Sequence, residues 1–200
     1  MSSDIETLRA IEDLLEKYLK EESIEKLLSL YYIILQGHDT ARRLIIMKFG
    51  SVKPYLQVSE DLSKAGVTEV PGEAKHLLSA RESELNQLLI KDARALVEKF
   101  DVLTQRIVAL ALLILENKRA LPGKVEELFD IYEFLTGEHI PQEARKECIR
   151  ALLRVHLVRI RGDYSTYLEW DPLASYILKA LKGVIPNIIV EFKEERREEK

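Results

Sequence analysis

The residues with the most evident chemistry are cations. Arg145, Lys146, Arg150 and Arg154 recur at helical spacing in QEARKECIRALLRV, and Arg159 and Arg161 follow in the alternating segment LVRIR. A helix lying in the major groove of a duplex contacts bases with its early residues, while nearby Lys and Arg neutralise phosphates. Gln142, Arg145 and Lys146 hold those early positions, and Tyr164, Ser165 and Thr166 sit where a turn would meet the backbone or minor groove. The same run also fits a solvated helix face, with Glu143 and Glu147 supplying local ion pairs. A thinner set lies upstream: Lys53, Tyr55, Gln57 and Ser59 on one predicted helix, and Arg42 and Arg43 on the helix before it.

Other chemistry finds less support. His38, His76, His139 and His156 are scattered, and no two have the i, i+4 spacing of helical metal ligands. Cys148 has neither a second Cys nor an evident base, so a core position beside Ala144, Leu152 and Val155 is expected rather than a nucleophile. Glu126, Glu127 and Glu133 fall on an amphipathic segment and read as a wet face, not as a general-acid pair. The eight glycines form neither GxGxxG nor GxxxxGK. Tyr167 and Trp170 are expected to cover a core, ahead of stacking on bases. No enzyme, metal or cofactor is expected.

Composition sets the frame. Hydrophobic residues make up 46% and charged residues 32% of the chain, a globular balance. The net charge of −4 argues mildly against a general nucleic-acid coat, but a duplex senses charge only within about 8–10 Å, so a local basic face remains open. The most apolar run, Ile107–Glu116, is shorter than the roughly 20 residues a membrane span needs and reads as a buried helix. The first residues carry acids where a secretory leader carries positive charge. With the lone cysteine, this leads to the expectation of a cytoplasmic protein that does not engage a membrane.

The elements that would position the cations follow from periodicity and punctuation. Ser3-Asp4-Ile5-Glu6 reads as a capping box ahead of an amphipathic helix ending near Glu22. Helices are predicted from Ser23 to Gly37, over ARRLIIMKF with Asp39 or Thr40 as cap, and from Ser51 to about Ala65. VTEV (67–70), Pro71-Gly72 and KHLLS (75–79) then read as strand, turn and strand. A long helix is predicted from Ala80 to Phe100, with Leu85, Leu89, Ala93, Leu96, Phe100, Leu103, Ile107, Leu110 and Ile114 forming a seam. The second half repeats the order: helices over 105–117, 124–136 and 142–155, strands over 157–161 and 164–170, and a last helix closed by Gly183. The expected fold is mainly α with short β-hairpin wings. The expected domains are an N-terminal helix (1–22), a first winged helix (23–79), a connecting or dimerisation helix (80–104), a second winged helix (105–183) and a charged tail (184–200).

The "LQG" break, the "TARRL" helix and the "L-x-x-A-G-V" exit into the wing make residues 23–79 resemble MarR-type regulators. Ser59 departs from that pattern, standing where such helices bury a Leu. The second half, with its long second helix and the step "ALLRVHLV" into a hairpin, is similar to the winged-helix domain of archaeal origin-recognition proteins; no P-loop accompanies it. These resemblances imply a transcription regulator that binds double-stranded DNA as a homodimer, with room for a small-molecule effector that no residue names. The alternative is a tandem winged-helix adaptor for protein partners, in chromosome segregation or as a replication accessory.

Overall fold

The structure is a computed structural model that describes residues 2–117, 124–161, 167–171 and 173–181. The first amphipathic stripe forms α1, Ser2–Lys20, which buries Ile11, Leu14, Leu15 and Tyr18. Next comes α2, Ile24–Gln36, whose Leu27, Leu28, Leu30, Tyr32, Ile33 and Ile34 are all buried. A helix apolar on most of its circumference must be surrounded, and α2 is packed by α1, by α3 (His38–Phe49) and by α4 (Lys53–Lys64). No side chain caps α3; it starts directly after Gly37 rather than from Asp39 or Thr40. Gly50 ends it at φ +70°, a conformation that costs a residue with a Cβ and leaves glycine unstrained. Pro54 sits in the first turn of α4, where its missing N–H leaves no helical bond unmade.

The hairpin expected at 67–79 is not formed. Residues 67–73 contain no strand, and Ala74–Ala80 is a helix, α5. The reason lies in the spacing: Ala74 and Leu78, four apart, are buried on one helical face while His76 is exposed, whereas a strand would put His76 on the same face as both. In the preceding stretch only Val67 is fully buried. An isolated two-stranded hairpin with so little apolar cover is marginal in water.

Glu82–Lys99 forms α6, and the chain divides within it into two compact units, Met1–Leu89 and Ile90–Lys200. The predicted seam is interrupted: α6 ends at Lys99, and α7, Val102–Glu116, starts anew with the Asp101 carboxylate accepting from the Thr104 N–H at 2.7 Å. Leu85, Leu89, Ala93, Ile107 and Leu110 from that row are buried within the single chain.

In the second unit α7 is the central helix, buried continuously from Ile107 to Leu112. It is packed by α8 (Val125–Thr136), α9 (Gln142–Arg154) and α10 (Ala174–Leu181). Gly137 ends α8 at φ +74°. Between α9 and α10 lie β1, Val158–Arg161, and β2, Tyr167–Trp170, paired antiparallel with Arg159 opposite Glu169 and Val158 opposite Trp170. Asp171 caps the approach to α10, its carboxylate accepting from the Leu173 N–H at 2.9 Å. The order of elements in this unit is the expected one. The expected turn at Gly162-Asp163 and the stop at Gly183 lie outside the described residues. Overall the described chain is mainly helical with one small antiparallel sheet, and none of its helices is long and apolar enough to cross a membrane.

Candidate interaction faces

The cations of the second unit are set by α9, whose inner face is held by buried Cys148, Ala151, Leu152 and Leu153. That anchoring leaves Gln142, Glu143, Lys146, Glu147 and Arg150 exposed. Lys146 Nζ lies 3.4 Å from Glu143, and an Arg150 terminal nitrogen lies 3.1 Å from Glu147. Both pairs are one helical turn apart, so the outward face of α9 alternates in sign.

The expectation of a groove-facing Arg145 is corrected by its surroundings. Its side chain is only 12% exposed and lies against α8. Nε donates to the Ile140 carbonyl at 3.1 Å, one terminal nitrogen donates to Glu133 at 2.8 Å and the other to Glu126, with Asp130 at 3.9 Å. The guanidinium also lies 5.3 Å from the centre of the Phe129 ring. Three carboxylates on one side of α8 outcompete solvent for this cation. Glu133 completes the knot by accepting from the Ile140 N–H at 2.7 Å. That backbone bond, followed by the Arg145 bond, holds its carboxyl below the usual carboxylate range.

Arg154 is likewise drawn in. It donates to both oxygens of Asp92, at 2.7 and 3.4 Å, and Nε2 of the fully buried His156 lies 3.3 Å from the same carboxylate. Burial alone would push the Asp92 pKa up; the bonds from His156 and Arg154 outweigh it and hold the group low. Arg159 forms a cross-strand ion pair with Glu169, directly opposite it. Arg161 lies on β1 opposite Tyr167, with its side chain outside the described residues, as are Tyr164, Ser165 and Thr166.

In the first unit Arg42 and Arg43 are exposed on α3, and Lys53 and Gln57 are exposed on α4. Tyr55 is half-buried; its hydroxyl lies 2.9 Å from His38 Nδ1. Asp61, on the later part of α4, turns to α1 and accepts from the Tyr18 hydroxyl at 2.6 Å, while Glu60 pairs with Lys64 at 2.8 Å. The early turns of α4 are thus cationic and the later acids are occupied.

Sequence reasoning missed one surface. Phe134 on α8 is 87% exposed and Ile131, three residues before it, is 37% exposed. The signal was present: Leu128, Phe129 and Tyr132 suffice for the buried face, and at 100° per residue Phe134 falls nearly opposite them. Compared with protein-family models, with curated proteins and with solved structures, the chain shows no match.

Proposed function

We propose that the chain is a non-enzymatic docking adaptor whose second unit is a winged helix turned to protein partners rather than to a duplex. The observation that carries this reading is the intramolecular pairing of the described cations on α9 and of Arg159. A groove-reading helix needs Lys and Arg available to phosphate, because that contact supplies most of the affinity. Here Arg145 and Arg154 are folded against Glu126, Glu133 and Asp92, and Lys146, Arg150 and Arg159 each face a carboxylate of their own unit.

One observation favours a second reading, DNA contact through the first unit. Arg42, Arg43, Lys53 and Gln57 are exposed on two consecutive helices joined by the short turn at Gly50, which is a helix-turn-helix arrangement without a wing. This reading is proposed for the single chain, since the seam residues Leu85, Leu89 and Ala93, which could pack within the chain or against a second copy, are buried in the single chain.

The test is retention of a mixed-sequence duplex over a salt series, with Lys146→Glu/Arg150→Glu and Arg42→Glu/Arg43→Glu variants. The adaptor reading expects the first variant to be silent. Salt-steep binding lost in the first variant would overturn it, and loss confined to the second variant would establish DNA contact by the first unit. Arg145 is unsuitable for charge reversal, because its role in packing α8 would confound the result.

A further inference from the structure

We propose that the outer face of α8 is the docking site for a basic amphipathic helix of a partner protein. This inference rests on the adaptor reading and gives it a location and a partner chemistry.

At helical spacing Glu127, Ile131 and Phe134 share one face of α8, and Asp130 stands at its border with the Arg145 side, 3.9 Å from that guanidinium. The remaining acids of the helix, Glu126 and Glu133, turn the other way to Arg145. One side of the helix is therefore core, one side holds Arg145, and the third presents two apolar side chains beside Glu127, with Asp130 between the last two sides. Among the described residues, no core position accounts for Phe134, which is 87% exposed. The core of α8 is filled by Leu128, Phe129 and Tyr132, each fully buried. An exposed phenylalanine on a rigid helix offers a large contact area at low entropic cost, the property of an interface anchor.

The surrounding charge selects the occupant. Asp130 is 66% exposed although it lies 3.9 Å from Arg145, Glu127 is exposed, and just past Gly137 Glu138 is exposed while pairing with Arg106 at 3.8 Å. A second copy applied across a two-fold axis would bring these same acids against one another, since such an interface repeats one patch on both sides. A duplex would meet the same repulsion. An amphipathic helix with apolar residues at i, i+3 or i+4 and flanking Lys or Arg satisfies both features: its apolar stripe covers Ile131 and Phe134, and its cations meet the acidic rim.

The experiment uses the full chain and a labelled synthetic helix with a leucine stripe and a lysine stripe, beside its counterpart carrying glutamate in place of lysine. Fluorescence anisotropy is expected to show binding of the lysine peptide only. Phe134→Ala, at a side chain with no buried contacts to lose, should leave the thermal midpoint unchanged and weaken binding about tenfold or more. Glu127→Lys should weaken it further at low salt and less at high salt. Equal binding of both peptides, or binding indifferent to Phe134→Ala, overturns the proposal. So does a concentration-dependent rise in mass that Phe134→Ala abolishes, which would assign the face to a second copy. Failure here, with the duplex still ignored, leaves the adaptor reading standing on another face. Duplex binding lost in Lys146→Glu/Arg150→Glu defeats that reading whatever the peptide does.

Discussion

Replacing Asp92 with Asn should destabilise the second unit through a single, nearly isosteric change. The carboxylate receives Arg154 at 2.7 and 3.4 Å and stands 3.3 Å from Nε2 of His156. His156 is fully buried and holds φ at +63°, so it has no solvent-facing alternative without moving the chain between α9 and β1. Breaking a fully buried ion pair costs about 3–5 kcal/mol. The Asp92 and Arg154 side chains are 19% and 23% exposed, and Asn retains one acceptor, so about 2–3 kcal/mol is the reasonable figure here. For a chain of this size that is a fall of roughly 4–12 °C in thermal midpoint. The pH dependence has a definite sign. Because the folded-state pKa of Asp92 is depressed, its contribution is present above the unfolded carboxyl pKa of about 3.9 and disappears as pH falls through the lower folded value. Calorimetry of both proteins at neutral and acidic pH should therefore show the gap closing on acidification. A midpoint at pH 7 within about 2 °C of the parent would refute the assignment, as would a gap that widens in acid.

Three further outcomes follow from the same geometry. Burial pushes the Cys148 thiol up despite the nearby Thr104 hydroxyl; a thiol reagent at pH 8 should react only at the rate of unfolding, and rapid native-state labelling would contradict this. Gly137→Ala meets nothing within 4 Å of the added carbon but must adopt φ +74°; it should cost about 1 kcal/mol, read by chemical denaturation, and no cost would mean that the end of α8 is not left-handed. Tyr18→Phe removes the bond to Asp61 while keeping the buried ring, for a cost of about 1–2 kcal/mol. The Tyr18 phenol is held well above the usual range by burial and then by Asp61, so ultraviolet titration should lose a late-ionising phenol in this variant.

Most helices were legible because their signals are local. Gly37, Gly50 and Gly137 end helices where they were expected to, and Asp171 begins the approach to the last one. The hairpin at 158–170 was legible too, since Val158 and Arg159 pair with Trp170 and Glu169 in the alternating register the residues suggest. The failure at 67–79 has a physical cause. A short apolar run such as KHLLS fits both periods, and the exposure of His76 between buried Ala74 and Leu78 decides for a helix. The seam from Leu85 to Ile114 failed differently: its three-and-four stepping continues past Lys99, but Asp101 captures the Thr104 N–H and starts a new helix in phase with the old pattern. Periodicity alone cannot see such a restart.

The candidate site was legible in residue type and illegible in orientation. A count of cations over 145–161 weighs Arg145 and Lys146 alike, yet one is folded against α8 and the other points to solvent. What separates them is angular position. Arg145 follows Pro141 by one helical turn, on the side where α8 offers Glu126 and Glu133; Lys146 is rotated a further 100° and meets only Glu143 of its own helix. Exposed pairs of the latter kind are worth a few tenths of a kcal/mol and yield readily to a polyanion, whereas the enclosed Arg145 cluster would have to be taken apart. Among the described residues of α9, duplex binding would therefore fall to Lys146 and Arg150, and two phosphate contacts give little affinity at physiological salt. In the proposed adaptor reading, the helix that withdraws Arg145 through Glu126 and Glu133 presents Phe134 and Glu127 on another face.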